Sequence, residues 1–245
     1  MPFAPELLYH QHQIVAVNKP VGLLSQATQT ESTTVISATL AMMAERKMAQ
    51  RTLLLVHRLD RDTSGIMLVA TSKVRAAYLA GEFRARRINK TYLALCRGVS
   101  ERREFIEQAP LGRFDPRMGK VRVDHQSGRA AQTAVRVLGE NLAERISLVL
   151  CQPTTGRTHQ IRVHLAINGL PLLGDQLYGG LGDGAIGVGS EGGPEHHLLH
   201  AHSLRFRPAP GQAELYLRAS LPEVFVTRMA RAGLADAFAT WNDQG

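Results

Sequence analysis

Two short apolar runs, TLLLV and IMLVA, lie on either side of the nine residues HRLDRDTSG at 57–65. Runs this short, bounded by charge and glycine, fold as buried strands, so this part of the chain reads as strand, loop, strand. His57, Arg58, Asp60, Arg61 and Asp62 place five ionisable side chains in six consecutive loop positions. A loop that only joins two strands is served by Gly, Asn and Pro. Charge gathered at the mouth of a core points to chemistry.

Other short runs carry the same signature. QIVAVNKP at 13–20 is a strand ended by Pro20 and Gly22, and TTVISATLAMMAERKMAQ has helical spacing behind a Thr/Ser cap. Ser72 is expected to cap a helix over 73–87, with Val74, Tyr78, Leu79 and Phe83 on its buried side. KTYLALCRGV reads as a strand, and EFIEQAPLG, GKVRVDHQ and AAQTAVRVLG read as antiparallel hairpin strands. ISLVLCQP leads through TTGRT into a helix, HQIRVHLAIN, which pairs Ile161 with Leu165 and Val163 with Ile167 and stops at Gly169. The strands HLLHAHSLRF and AELYLRA and a final helix at LPEVFVTRMARAG follow. The glycine-rich stretch 179–195 lacks the lysine and the strand-to-helix setting of a phosphate loop, and is read as a flexible insertion. No repeat or linker divides the chain. The fold class expected is α+β, with short, mostly antiparallel strands and helices outside.

At 245 residues and 44% hydrophobic, the chain suits one large domain or two small lobes. No apolar run approaches the ~20 residues of a membrane span, and the N-terminus has no signal-peptide pattern. Cys96 and Cys151 sit in apolar runs and read as buried free thiols, which fits a reducing cytoplasm. The formal net charge is +8, and residues 84–103 hold seven Lys/Arg against one acid, Glu101. A one-sided basic stretch is the footprint of a polyanion binder, so nucleic acid is the leading partner class.

Four groups of residues are candidates for chemistry. The histidines of HQIRVH and HHLLHAH, with His57 and Asp60, invite a metal reading. No metal-ligand spacing is present, and hydrogen-bonded structural histidines are expected. Ser64 lacks the nucleophile elbow of a hydrolase. Asp60 or Asp62 suits attack on a sugar C1′, given a cationic partner such as Arg58, Arg61 or Arg162. From the residues alone, a salt-bridged surface loop remains equally open. Tyr92 in NKTYLAL suits either core packing or stacking on a base.

The loop HRLDRDTSG resembles the signature of the RluA family of pseudouridine synthases. VNKPVGLLSQ, NKTYLAL, GRTHQIRVHLA, GDQLYGG and HLLHAHSLRFRP are similar to further family elements, in family order, across residues 10–210. The resemblance implies a single catalytic domain over 1–245, with a long, mixed, mainly antiparallel sheet, flanking helices and a central cleft. It implies isomerisation of uridine to pseudouridine in tRNA or 23S-type rRNA, with no metal and no cofactor. Asp60 falls on the catalytic aspartate and Tyr92 on the tyrosine that stacks on the flipped base. Arg162 falls on the basic partner of the aspartate, and Arg58 on the arginine that displaces the base.

Many relatives carry an S4 RNA-binding domain. No room for one is expected before the first strand, so His57, Arg58, Arg84, Arg86, Arg87 and Lys90 are expected to hold a structured RNA stem-loop. A cytoplasmic monomer with no obligate protein partner is expected. Two other classes remain: an RNA-binding protein without turnover, and a metal-dependent hydrolase using the histidines.

Overall fold

The computed structural model describes residues 4–28, 31–48, 50, 52–179 and 196–243. Apart from Gly179, the glycine-rich insertion lies outside the described residues. The elements in chain order are β1 (Glu6–Gln11), β2 (Ile14–Lys19), α1 (Val35–Glu45), β3 (Leu54–Leu55), β4 (Ser64–Ala70), α2 (Lys73–Arg84), β5 (Asn89–Arg97) and β6 (Glu104–Glu107). They continue with β7 (Thr133–Asn141), β8 (Ile146–Pro153), α3 (Gln160–Ile167), β9 (Leu199–Phe206), β10 (Leu215–Arg218), α4 (Glu223–Arg231) and α5 (Ala235–Asn242). This is the expected α+β class, a mixed and mainly antiparallel sheet flanked by helices. The chain falls into two compact units, residues 1–90 with 201–220, and residues 91–200 with 221–245.

In the first unit the strand order is β1-β2-β4-β9, with β3 also on β4 and β10 on β9. Strand β4 is buried along its whole length and β2 nearly so, which is why their sequences run apolar without alternation. They pair antiparallel from Ile14 opposite Ala70 to Lys19 opposite Gly65. Ile14, Ala16, Ile66 and Leu68 pack with Leu79 of α2 and with Leu204 and Phe206 of β9. Strand β1 was not expected. It joins β2 through His12 and Gln13, whose φ of 53° and 60° make a tight hairpin turn from residues that do not advertise one.

The last residue of HRLDRDTSG has a steric reason. Gly65 sits at φ +112°, and a Cβ there would lie 2.2 Å from the Ala201 carbonyl oxygen on β9. Only glycine lets the two backbones approach so closely. Gly65→Ala is expected to lower the unfolding free energy by about 3 kcal/mol. A urea melt monitored by circular dichroism measures it, and a loss under about 1 kcal/mol would show that β9 shifts freely to make room.

Helix α1 starts at Thr34 with a reciprocal capping box to Ser37, and α2 starts at Ser72, as expected. Helix α2 ends at Arg84 rather than 87, because Arg86 takes φ +58°. Leu79 is buried, but Val74 is 81% exposed. Val74 lies five residues before Leu79, about 140° around the helix, which turns it to solvent. Glu82 takes the buried place beside Leu79.

In the second unit the order is β5-β8-β7-β6, all antiparallel. Leu93, Leu95, Leu148 and Leu150 pack with Phe225 and Met229 of α4 and with Leu234. Each such side chain contributes roughly 1.5–3 kcal/mol on burial. GKVRVDHQ alternates as a strand should, yet it is a loop held by single bridges: Leu111 to Val123 and to Arg129, and Asp115 to Lys120. Asp124 ends any extension by accepting from the amides of Gln126 and Ser127. Helix α5 was not expected. None of its residues is fully buried, and Phe238 and Trp241 pack only partly covered against the core.

Candidate active site

Asp60 is half-buried at the start of a turn in which its carbonyl accepts from Thr63 N–H (3.2 Å). The backbone on either side of it is tied down by residues 19–25. Leu59 N–H donates to Ser25 Oγ (3.1 Å), and the Ser25 hydroxyl donates to the Leu59 carbonyl (2.6 Å). The Arg61 carbonyl accepts from Lys19 Nζ (2.7 Å) and from Gly22 N–H (3.1 Å). Arg61 Nε donates to the Gly22 carbonyl (3.2 Å). VNKPVGLLSQ and HRLDRDTSG are therefore two halves of one structure.

Lys19 is 0% exposed. Its ammonium also donates to the Pro20 and Leu23 carbonyls (2.9 Å each), which gives it three oxygen partners. Burial pulls its pKa down to about 7, against the opposing pull of Asp62 and Asp60 and helped by Arg61. Sequence reasoning did not single out Lys19 or Ser25. The available signal was a lysine closing an otherwise apolar strand.

His57, expected among the RNA contacts, accepts a hydrogen bond at Nε2 from the Leu68 amide (2.8 Å) and stacks on Phe83 at 4.4 Å between ring centroids. Strand β3 ends after pairing Leu55 with Val69, and the His57 ring satisfies the next amide of β4. Burial, and then the Lys90 charge, pushes its pKa down to about 3, so the ring is a neutral acceptor.

Arg58, Arg84, Arg86 and Arg87 are exposed. Arg87 Nε donates to both Glu82 oxygens (3.1 and 3.0 Å), so part of this charge is internally neutralised. Glu82 lies just before the stretch 84–103, where counting charges along that stretch overlooks it. Lys90 is half-buried, and burial followed by Arg86 lowers its pKa to about 8.

In the second unit, Tyr92 lies opposite Cys151 on β5 and packs against a cluster that includes Ile161 and Leu165 of α3. Arg162, also on α3, is 6% exposed, and the structure gives it Asp175 as a partner. Its Nε and Nη2 donate to the two Asp175 oxygens, both at 2.8 Å. Asp175 Oδ1 accepts two further bonds, from the amides of Leu177 (3.0 Å) and Tyr178 (3.1 Å). Burial pushes the Asp175 carboxyl up, but the Arg162 bonds and charge outweigh it and hold the group below the ordinary aspartate value. The guanidinium carbon stands 5.0 Å from the Tyr178 ring centroid. Tyr178 Oη accepts from Val121 N–H (2.7 Å) and shares a hydrogen bond of 2.9 Å with His159 Nδ1. His159 opens α3 at φ +54°.

His164 is wholly buried. Its Nε2 donates to the Ala109 carbonyl (3.0 Å), so Nδ1 accepts from the Thr133 hydroxyl (2.9 Å). Thr133 Oγ1 in turn accepts from Gln160 Nε2 (3.0 Å), and Gln160 Oε1 accepts from Thr155 Oγ1 (2.7 Å). These are structural histidine contacts of the kind expected. Among the described residues, no three His, Cys, Asp or Glu side chains group as metal ligands do. Ser64 is buried at the start of β4.

A family model described as RNA pseudouridylate synthase matches residues 13–167, well over half of the chain. The chain belongs to this family. It is 34% identical over 228 residues to the ribosomal large subunit pseudouridine synthase C of Haemophilus ducreyi, covering 92% of this chain and 68% of that protein. It is 34% identical over 175 residues to an uncharacterised RNA pseudouridine synthase of Bacillus subtilis, covering 71% of this chain and 58% of that one. The solved structure titled Human RNA Pseudouridylate Synthase Domain Containing 4 aligns with a TM-score of 0.73 at 28% identity, over 93% of this chain and 92% of that chain. These likenesses place the pseudouridine synthase chain in the RluA group. Asp60, Tyr92 and Arg162 fall inside the matched span, whereas Asp175 and Tyr178 lie beyond it. Among the described residues, no helix is long and apolar enough to cross a membrane.

Proposed function

We propose that this chain converts uridine to pseudouridine in structured RNA, with Asp60 as the group that attacks the ribose. The observation that supports this most is the tethering of the backbone on both sides of Asp60, by Ser25 at Leu59 and by Lys19 and Gly22 at Arg61. A surface salt-bridge loop has no need of tethers on both sides of one carboxylate; a nucleophile held in register does.

The target uridine leaves the base stack at a cost of a few kcal/mol. Exposed Arg58 fills the space it vacates. The Asp60 carboxylate bonds to C1′ as the C1′–N1 bond breaks, or it takes the C2′ proton as uracil leaves, so that the sugar becomes a glycal. The uracil then turns and C5 bonds to C1′ as the Asp60–C1′ bond breaks, or as the C2′ proton is returned; C5 loses a proton and N1 gains one, so the product is an isomer and nothing is consumed. Tyr92 stacks on the base and handles a proton, and Arg162 balances negative charge at the reacting centre. The chemistry calls on no metal or cofactor.

The names of the relatives make large-subunit ribosomal RNA the first substrate to try and tRNA the second. We take the protein to be a cytoplasmic monomer formed by one catalytic domain, needing no protein partner; its two buried free cysteines fit that compartment.

The deciding experiment incubates wild type and Asp60→Asn with RNA that lacks pseudouridine, and maps product by carbodiimide-dependent reverse-transcription stops. Product from the wild type alone is expected. Product from both would remove Asp60 from the reaction.

Binding should also be graded by charge. Arg84 and Arg86 are expected to meet phosphates, whereas Arg87 is partly neutralised by Glu82. Each of Arg84→Ala and Arg86→Ala should flatten the slope of log K against log salt by about 0.7–0.9. Arg87→Ala should change it less. Equal slopes for all three in a filter-binding series would contradict the grading.

A further inference from the structure

We infer that Asp175 is a positioning residue for Arg162, and that it fixes the plane in which the guanidinium meets the reacting centre. The inference rests on the reading of Arg162 given above. Asp175 is 5% exposed and lies thirteen residues beyond Arg162, past the end of α3.

A guanidinium carries five N–H donors in one plane. Asp175 takes the Nε and Nη2 edge with two bonds of 2.8 Å, which sets both the position and the tilt of that plane. A lysine in place of Arg162 would bring a charge without a plane. The carboxylate is itself immobilised, because Oδ1 also accepts from the amides of Leu177 and Tyr178. The Tyr178 ring then bears on the guanidinium from 5.0 Å. Its hydroxyl is fixed between Val121 and His159, and His159 opens the helix that carries Arg162. The contacts close on themselves, from α3 through the turn 175–178 and back to α3. Arg162 therefore cannot swing without breaking bonds at several points.

Two readouts test this. With 15N-labelled arginine, the Arg162 Nε–H of the wild type should give a slowly exchanging signal, identified by its loss in Arg162→Met. That signal should vanish in Asp175→Asn. In single-turnover assays, Asp175→Asn should lower the rate of the chemical step by on the order of 100-fold while the half-saturating RNA concentration stays within about twofold. In the Arg162→Met background, Asp175→Asn should add nothing to the loss already present. If Asp175→Asn does not fold, Asp175→Glu carries the test, since it keeps the charge and displaces the plane; the same loss of rate is expected. An unchanged rate in both variants, or an equal further loss in the Arg162→Met background, would overturn the inference. If the wild type makes no pseudouridine, the functional reading fails, and the Nε–H signal still decides whether Asp175 holds Arg162.

Discussion

Asp60→Asn is expected to lower pseudouridine formation by on the order of 10⁴-fold or more while leaving folding and RNA binding in place. The chemical half of this expectation is simple: an amide oxygen is a poor nucleophile toward C1′ and supplies no negative charge to a developing cation. The structural half follows from how the loop is built. Its tethers run to the Leu59 amide and carbonyl, to the Arg61 carbonyl and from Thr63 N–H to the Asp60 carbonyl. These backbone tethers persist when Asp60 becomes Asn, so the variant is expected to fold and to retain its RNA affinity. A large fall in melting temperature would mean that the carboxylate helps to hold the loop, and that lost activity does not isolate its chemistry.

Lys19→Met separates position from stability in the opposite sense. The lysine is costly to bury: holding its pKa near 7 rather than 10.5 corresponds to about 5 kcal/mol. Methionine removes that burden but leaves the Pro20 and Leu23 carbonyls without the Nζ donor, at roughly 1–3 kcal/mol each. The two effects nearly cancel, so the variant is expected to fold. The Arg61 carbonyl meanwhile keeps only the Gly22 amide, and the loop loses its shortest lysine tether. The rate of the chemical step should fall on the order of 100-fold, since small displacements of a reacting group are that expensive.

The pH dependence gives a second check on Lys19. Between pH 7 and 10.5 the unfolded chain keeps the Lys19 proton and the folded chain releases it. Lys19 therefore makes wild-type stability rise with pH in that window, by up to about 1.4 kcal/mol per pH unit. Lys19→Met should lack this component. Urea melts at pH 7 and pH 9 compare the two, and identical pH profiles would show that the lysine is not the titrating group.

The elements with strong local signals were legible in the sequence: continuous apolar strands β2, β4 and β8, the Ser72 cap of α2, and α3 stopping at Gly169. Asp60 was legible as one of two carboxylates in a charged loop. What escaped depends on partners distant in the chain. Lys19 gains its meaning from the Arg61 carbonyl, Gly65 from Ala201, and Asp175 from Arg162. Val74 and GKVRVDHQ failed for a related reason. Their apolar residues have the right spacing, but helix geometry turns one outward and a side-chain-capped turn interrupts the other. The hairpin at His12 and Gln13 hides β1 because its turn residues are not the usual ones.

The chain of bonds from Thr155 through Gln160 and Thr133 to His164 and Ala109 does something that the apolar face of α3 cannot. An oily contact tolerates a helix that creeps along its axis, because one methyl group substitutes for another at little cost. Directional bonds to a hydroxyl and a carbonyl allow a single seat. They act as a registration mark, so that the helix returns to the same rotation and depth whenever it re-forms. Arg162 lies between Gln160 and His164 in sequence and takes its place from the two fixed points on either side.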